Sequence, residues 1–356
     1  MKLPDFPWDA LAPFGDLARK HGAGFIDLSQ GTPVDPTPTI IQRSLGEHSN
    51  SPSYPLTAGT PQLREAIRNW AINRVGATGD FDVLPLIGSK EFVAWLPTFL
   101  QSKKVIFPKV AYPTYYVGAI IAGAEPVAVD LDAQMWPDSD LAWINSPSNP
   151  TGRVYSDSEF KAAINYARSY KTPVVSDECY LEFGDSVEPS SILSFTGGDN
   201  SHILAVHSLS KRSSMAGYRG AFVIGDSSLI KKILEIRKHA GMMVPLPIQH
   251  AMIAALSDDV HVQEQRARYN GRRKILAPAL ESIGFRVDHS EAGLYIWCTR
   301  GEDSWKSVEA LAQLGILVTP GIFYGADGAE HIRIAMTATD SAIQDAATRI
   351  TASKAD

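Results

Sequence analysis

Residues 203–211, ILAVHSLSK, begin with a short apolar, β-rich run and end in Ser208, Ser210 and Lys211. The run 203–207 predicts a buried strand. In an open parallel sheet, ligands bind beyond the carboxyl ends of the strands. The three polar side chains that follow this run are therefore candidates for a binding site.

Six further β-rich runs alternate with helical patterns, at residues 83–88, 105–108, 126–129, 141–145, 173–176 and 220–224. Between two of them, Ser156 and Glu159 form an S-x-x-E capping box that opens a helix. Alternation of this kind is typical of an α/β domain with a mainly parallel sheet. We predict a three-layer αβα large domain with a seven-stranded sheet over residues 36–258.

A different pattern begins near residue 260. A long charged helical segment leads into the strand-like runs FRVD and LYIWC, a helix, the strand HIRIA and a last helix. This order predicts a smaller α+β domain. We assign residues 259–356 to it, together with residues 1–35.

Composition excludes several classes of function. The chain has 356 residues, with 33 Lys and Arg against 39 Asp and Glu, so its net charge of -6 argues against a nucleic-acid partner. Cys179 and Cys298 are too few for a disulfide framework, and no run is long and apolar enough to span a membrane. We therefore expect a cytoplasmic protein without a membrane anchor.

No metal site is expected either. His202 and His207 fall on opposite faces of a strand, and the histidines form no cluster with metal-ligand spacing. The motifs GxGxxG, GxSxG and HExxH are absent.

Polar or aromatic side chains follow four other predicted strands: Ser89 with Lys90, Tyr112, Asn149, and Asp177. Lys211 is the central candidate, because a desolvated lysine with a lowered pKa can form a Schiff base with a carbonyl. A lysine in an isolated S-x-S-K is more often a surface residue. Asp177 could balance a protonated ring nitrogen or cap a helix, and Asn149 could simply shape a turn.

Anion-binding groups accompany these candidates. The segment GSKE at residues 88–91 follows a strand and opens a helix, so its amides can receive an anion. Arg219, eight residues after Lys211, could add a bidentate clamp, and Ser208 and Ser210 could donate hydroxyls.

Taken in order, seven blocks resemble the fold-type-I aminotransferases of class I/II over nearly the whole chain: LSQGTP (28–33), YPLTAGTPQLREAI (54–67), GSKE (88–91), NSPSNPTG (145–152), VVSDECY (174–180), HSLSKRSSMAGYRG (207–220) and HIRIAM (331–336). The resemblance implies an aspartate-aminotransferase-like fold. It also implies pyridoxal 5'-phosphate as the cofactor, with an amino acid and a 2-oxo acid as substrates.

Residue roles follow from the same resemblance. Lys211 would be the Schiff-base lysine, Asp177 the partner of the pyridinium nitrogen, and Tyr112 the aromatic residue stacked on the ring. Asn149 and Tyr180 would contact the ring hydroxyl. The groups expected around the phosphate are Ser89, Lys90, Ser208, Ser210 and Arg219.

The resemblance also implies how substrate and subunits meet. Arg333 would bind the substrate α-carboxylate, although an arginine on a strand could also form a surface ion pair, and Gly31 would lie against the substrate. Tyr54 would reach the phosphate of a neighbouring subunit, which implies a homodimer with shared active sites. Arg64 is expected to be structural.

Within the family, the block at 207–220 and the compact length are similar to actinobacterial succinyldiaminopimelate aminotransferases. This implies N-succinyl-LL-2,6-diaminopimelate as amino donor, 2-oxoglutarate as acceptor, and a place in lysine and diaminopimelate biosynthesis. An aminotransferase of another amino acid and a carbon–sulfur β-lyase are the alternatives. The related sensor domains of transcription factors carry a DNA-binding domain ahead of the fold, and the family-like region here begins near residue 25, so we expect none.

Overall fold

The computed structural model describes residues 3–353. The strands are β1 (Ile26–Asp27), β2 (Asp82–Leu86), β3 (Lys104–Pro108), β4 (Glu125–Val129), β5 (Leu141–Asn145), β6 (Val174–Asp177), β7 (Ile203–Ser208), β8 (Ala221–Gly225), β9 (Arg286–Val287), β10 (Tyr295–Thr299), β11 (Ile316–Leu317), β12 (Thr319–Pro320) and β13 (His331–Ala335). The helices are α1 (Ala12–Arg19), α2 (Thr39–Glu47), α3 (Pro61–Val75), α4 (Ser89–Leu100), α5 (Thr114–Ala122), α6 (Asp157–Tyr170), α7 (Leu209–Arg212), α8 (Ser227–Ala240), α9 (Leu246–Leu256), α10 (Val260–Ser282), α11 (Ser304–Gln313) and α12 (Asp340–Ala352).

The seven predicted strands form one sheet in the order β2-β8-β7-β6-β5-β3-β4. Neighbours from β7 to β4 are parallel, whereas β8 pairs antiparallel with both β7 and β2. The prediction of a mainly parallel, seven-stranded sheet is confirmed. Strand ends differ from the predicted ones by one or two residues, as at β2, which ends at Leu86 rather than at residue 88.

Helices cover both faces of this sheet. One hydrophobic core packs α2, α3, α6 and α9 against one face, and a second core packs α4, α5 and α8 against the other. Side chains alternate between the two cores along each strand: Ile203 and Ala205 of β7 belong to the first, and Leu204 and Val206 to the second. The three-layer αβα arrangement is therefore as expected.

A second, four-stranded antiparallel sheet has the order β12-β13-β10-β9, and β1 pairs in parallel with β11. A third hydrophobic core joins these strands to α10, α11 and α12 and includes Leu11, Ile26 and Leu28 from the start of the chain. The domain boundaries at residues 36 and 258 stay a proposal.

Two absences concern the described part of the chain. No helix within residues 3–353 is long and apolar enough to cross a membrane. The same residues contain no group of three or more His, Cys, Asp or Glu side chains arranged to hold a metal ion.

Candidate active site

The carboxyl ends of β5, β6 and β7 open into a cavity of about 630 Å³. It is lined by twelve of the predicted site residues: Gly31, Ser89, Lys90, Tyr112, Asn149, Asp177, Tyr180, Ser208, Ser210, Lys211, Arg219 and Arg333. Tyr54 does not line it. Strand-end reasoning predicted that the residues following β2, β3, β5, β6 and β7 would lie together, whereas Gly31 and Arg333 were expected from the family resemblance alone.

Lys211 lies in the single helical turn α7, directly after β7. Its Nζ donates a hydrogen bond to the backbone oxygen of Gly31. Burial lowers the pKa of the Lys211 ammonium, because removal from water disfavours the charged form. Burial therefore favours the neutral amine, the form that can act as a nucleophile or a base.

Asp177 is the last residue of β6 and is buried. Its Oδ2 accepts a hydrogen bond of 2.8 Å from the Tyr115 hydroxyl, and its Oδ1 accepts one of 3.2 Å from the amide of Cys179. Burial raises the pKa of the Asp177 carboxyl, and these hydrogen bonds oppose that rise. The carboxylate is thus held where a buried cation would balance it.

The loop after β5 is fixed by Asn145. Its Nδ2 donates to the backbone oxygen of Asp177 at 2.7 Å, and its Oδ1 accepts from the Asn149 amide at 2.7 Å. The buried Asn145 side chain thus fixes the Asn149 backbone, and Asn149 lines the cavity. Asn149 therefore does more than shape a turn.

Arg333, on β13, is 3% exposed and spans the gap between the two sheets. Its Nη1 donates to Asn149 Oδ1 at 2.9 Å and its Nη2 to the Ser29 backbone oxygen at 2.5 Å. The guanidinium carbon lies 4.1 Å from the ring centroid of Tyr295 and 5.0 Å from that of Tyr324. The Nε donor is buried and has no hydrogen-bond partner in residues 3–353. A surface ion pair is therefore not the role of Arg333.

The other end of the cavity offers donors for an anion. Gly88 is the N-cap of α4 and has a φ of 83°. No side chain of the described residues caps the first amides of this helix, so they remain available to an anion. A Cβ at Gly88 would clash with Arg219 Nη2, so glycine permits the close approach of this guanidinium. Ser89, Ser208 and Ser210 line the same region.

One expected residue behaves differently from the rest. Tyr54 is 94% exposed and lies away from the other site residues of its own chain. Tyr180 lies in the cavity, and its hydroxyl is 3.2 Å from that of Tyr295. Arg64 is structural as expected, because it bonds Asp82 at 2.5 Å and the Val83 backbone oxygen at 2.7 Å.

Sequence reasoning missed several lining residues. Tyr295 begins β10 and stands directly over Gly31, where a Cβ would clash with its hydroxyl. Phe6 and Trp8 also line the cavity, and Tyr115 donates a hydrogen bond to Asp177. No signal in the sequence near Phe6 and Trp8 indicated that they would lie at the site.

Comparisons with known proteins agree with this geometry. The profile of the family described as aminotransferase class I and II matches residues 23–350. The probable aminotransferase Rv1178 of Mycobacterium tuberculosis is 52% identical, over 98% of this chain and 85% of that protein. The 4-dedimethylamino-4-oxo-anhydrotetracycline transaminase OxyQ of Streptomyces rimosus is 48% identical, over 98% of this chain and 99% of that protein.

Among solved structures, a probable N-succinyldiaminopimelate aminotransferase from Thermus thermophilus superposes with a TM-score of 0.89. The two sequences are 26% identical, and the match covers 98% of this chain and 100% of the other. With the family profile spanning most of the sequence, the chain belongs to the class I and II aminotransferases, which depend on pyridoxal 5'-phosphate.

Proposed function

We propose that this aminotransferase moves the amino group of N-succinyl-LL-2,6-diaminopimelate to 2-oxoglutarate. The observation that carries the proposal is the unpartnered Nε of Arg333, a buried donor on a guanidinium between two tyrosine rings, with no partner in residues 3–353. A buried donor without a partner is costly, and a carboxylate is its natural complement. The donor and the acceptor of this reaction both carry an α-carboxylate.

The donor set around the cavity fits pyridoxal 5'-phosphate. Lys211 would hold it covalently, and Asp177 would balance the protonated ring nitrogen. The phosphate would be held by the free amides of α4, by the hydroxyls of Ser89, Ser208 and Ser210, and by Arg219. Because Gly88 has no Cβ, the Arg219 guanidinium can lie against its backbone. Tyr112 would stack on the ring, and Asn149 and Tyr180 would contact its hydroxyl.

When bound, this cofactor supplies a carbonyl that condenses with amines and a ring that delocalises the electrons released at the amino acid Cα. The protein supplies the remainder. Arg333 binds the α-carboxylate and so fixes the orientation of the Cα–H bond. Lys211, whose amine is neutral over a wider pH range because burial lowers its pKa, takes the Cα proton. Because one cavity serves donor and acceptor in turn, ping-pong kinetics are expected.

Gly31 and Tyr295 shape the substrate side of the cavity. Because Gly31 has no Cβ, its backbone can lie directly against the Tyr295 hydroxyl. The backbone oxygen of Gly31 also accepts the hydrogen bond from Lys211 Nζ.

A homodimer with shared active sites is part of the proposal. Tyr54 is a large aromatic side chain left almost wholly in solvent, on a segment tied down by Gln249, which donates to the Leu56 backbone oxygen at 3.4 Å and accepts from the Thr60 amide at 2.8 Å. An exposed tyrosine on an anchored segment suits a role in a neighbouring subunit.

The similar structure from Thermus thermophilus is named as a probable N-succinyldiaminopimelate aminotransferase, and this likeness supports the succinylated donor. A second candidate has its own support: OxyQ, at 48% identity, is named for a polycyclic ketone, and Phe6 and Trp8 line the cavity. Another amino acid as donor, and a carbon–sulfur β-lyase reaction, are the remaining alternatives.

The test is a comparison of kcat/KM, with 2-oxoglutarate as acceptor, for the succinylated donor, unsuccinylated diaminopimelate, acetylornithine, aspartate and alanine. We expect the succinylated donor to be preferred, because a site with buried polar groups penalises donors that leave them unpaired. Preference for alanine or aspartate would overturn the assignment. Amination of the tetracycline ketone would favour the second candidate, and release of pyruvate and ammonia from a cysteine conjugate would indicate a β-lyase.

A further inference from the structure

A buried ion pair lies beside the start of α4, the helix whose first amides are available to an anion. Arg237, on α8, is fully buried, and its Nη1 donates to Oε1 of Glu91 at 2.9 Å and to Oε2 at 3.1 Å. Glu91 belongs to the first turn of α4. A carboxylate and a guanidinium are therefore paired within one helical turn of the proposed phosphate site.

The position of Glu91 in the helix would suit a different partner. Glu91 is the third residue of α4, from which a glutamate commonly folds back to bond the backbone amide of the N-cap residue. A carboxylate at the start of a helix is also attracted by the positive end of the helix dipole. A bound phosphate would use the same amides and the same dipole. A Glu91 carboxylate without Arg237 would therefore compete with the phosphate.

Arg219 belongs to the same group of charges. A Cβ on Gly88, three residues before Glu91, would lie 2.1 Å from Arg219 Nη2, so this guanidinium lies against the start of α4. Burial raises the pKa of Glu91, and the Arg237 guanidinium and then the Arg219 guanidinium oppose that rise. The carboxylate thus interacts with two arginines, of which only Arg219 is assigned to the phosphate in the proposed function.

The burial of Arg237 is not explained by its own hydrogen bonds. Its Nε and Nη2 are buried and have no hydrogen-bond partner within residues 3–353. Buried donors without partners are costly, and a buried ion pair adds little net stability. Arg237 is also absent from the described lining of the cavity. Any effect of Arg237 on a ligand must therefore pass through Glu91.

We propose that Arg237 is a positioning residue of the phosphate site, which holds the Glu91 carboxylate away from the first amides of α4 and neutralises its charge. These amides and Arg219 then stay available to the phosphate. Without Arg237, the carboxylate turns to the helix start and opposes the phosphate dianion. The proposal rests on the part of the proposed function that puts the cofactor phosphate at the start of α4, and it is independent of the amino donor.

The experiment measures how tightly the whole chain, freed of cofactor, binds pyridoxamine 5'-phosphate and pyridoxamine, which is the same ring without the phosphate. Neither ligand forms a covalent bond with Lys211, so both report binding alone. The measurement is made at about pH 8.5, where a carboxyl with a raised pKa is still ionised. Arg237→Gln should weaken the binding of pyridoxamine phosphate roughly tenfold, through charge repulsion, and leave that of pyridoxamine unchanged.

Glu91→Gln supplies the decisive comparison. Alone, it should lower the thermal midpoint, because it leaves Arg237 buried without a carboxylate. It should nevertheless bind pyridoxamine phosphate at least as tightly as wild type, since the competing charge is gone. In a chain that already carries Glu91→Gln, the further change Arg237→Gln should cost no affinity. Arg237→Met, with an apolar side chain of similar length, replaces Arg237→Gln if that variant does not fold.

Arg272→Gln is the matched control for the loss of a buried arginine. Arg272, on α10, is also buried and is paired with Asp35 at 2.8 Å, but it is absent from the described lining of the cavity. This variant should leave the ratio of the two dissociation constants unchanged, whatever it does to the thermal midpoint.

The proposal is overturned if Arg237→Gln costs the same phosphate affinity with and without Glu91→Gln, because Arg237 would then act through packing alone. Unchanged binding in Arg237→Gln would overturn it as well. If wild type binds pyridoxamine phosphate and pyridoxamine equally, the phosphate site of the proposed function falls together with this role. The preferred amino donor is measured separately, so a failure of the substrate assignment leaves the role of Arg237 standing.

Discussion

The hydroxyl of Tyr115 donates to Asp177 at 2.8 Å across the space between α5 and β6, and both residues are buried. Tyr115 also stacks on Trp143 of β5, with 5.1 Å between the ring centroids. The carboxylate is thus oriented by a side chain that is itself fixed by packing. This second layer of support determines how well Asp177 can balance a charge in the cavity.

Asp177→Asn should fold and bind cofactor but lose roughly 100-fold or more of kcat, equivalent to about 2.7 kcal/mol of transition-state stabilisation. A neutral amide cannot keep the ring nitrogen protonated. Tyr115→Phe keeps the carboxylate and should cost less, roughly tenfold, because one hydrogen bond to a charged group is lost. Tyr116→Phe, at a neighbouring exposed tyrosine, is the control. Turnover close to wild type in Asp177→Asn would remove the proposed role.

Arg333→Lys retains the charge but loses the planar fork. Because donor and acceptor both present an α-carboxylate, we expect kcat/KM to fall for both. Disrupting a buried, hydrogen-bonded charge pair costs roughly 2 to 5 kcal/mol, or about thirtyfold to several thousandfold. Arg286→Lys, on the exposed β9, should have no effect. A loss limited to one substrate would instead assign Arg333 to side-chain specificity.

Lys211 should carry the cofactor covalently. The purified protein should be yellow, and its visible band should disappear on borohydride treatment, with the reduced cofactor found on the Lys211 peptide by mass spectrometry. Lys211→Ala should bind cofactor without becoming labelled. Label on any other lysine would contradict the central assignment.

Glu178, the neighbour of Asp177, should make stability depend on pH. Its Oε2 lies 3.4 Å from Nε2 of His207, and burial raises the pKa of Glu178 to about 7 and lowers that of His207 to about 3. Since the folded protein then holds the Glu178 proton more tightly than the unfolded chain does, the stabilisation is complete below about pH 4.5 and is lost as the pH rises through about 7.

The measurement is the thermal midpoint of wild type and Glu178→Gln from pH 4.5 to 8. Wild type should lose roughly 3 kcal/mol relative to the variant across this range, at about 1.4 kcal/mol per unit of pKa shift. Glu309→Gln, at an exposed site on α11, should run parallel to wild type. A constant difference between wild type and Glu178→Gln would show that Glu178 is ionised throughout.

Shared active sites can be tested by mixing two inactive variants, Tyr54→Ala and Lys211→Ala. If Tyr54 acts in the neighbouring subunit, one of the two sites in each mixed dimer is intact. Random exchange should then restore roughly a quarter of wild-type activity. No recovery after demonstrated subunit exchange would place Tyr54 in its own chain's site or outside any site.

Local signals in the sequence predicted the parts of the fold that depend on local chemistry. The capping box at Ser156 and Glu159 is present, with the Glu159 amide donating to Ser156 Oγ at 3.3 Å and Glu159 Oε2 accepting from the Ser156 amide at 2.8 Å. The part of the site around Asp177 and Lys211 followed from a topological rule, since the carboxyl ends of β5, β6 and β7 meet at one edge whatever their exact lengths. Gly31 and Arg333 were expected only from the family resemblance.

The residues that escaped prediction depend on contacts between distant segments. Nothing near Tyr295 in the sequence indicates that its hydroxyl stands over Gly31, and nothing near Phe6 indicates that it meets Lys90. Tyr115 follows Tyr112 in the sequence, and either tyrosine could have faced the cavity. Such pairings are set by how the two sheets and the chain start pack together, which periodicity alone does not encode.

The attachment of Trp8 to Phe323 has a consequence for biosynthesis. The ribosome makes Trp8 long before Phe323, and at typical rates of roughly 5 to 20 residues per second the two are separated by on the order of tens of seconds. During that interval the aromatic start of the nascent chain has no final docking place. The Trp8 side of the cavity can therefore take its final position only after Phe323 has been made, which is later than the synthesis of β8, the last strand of the central sheet.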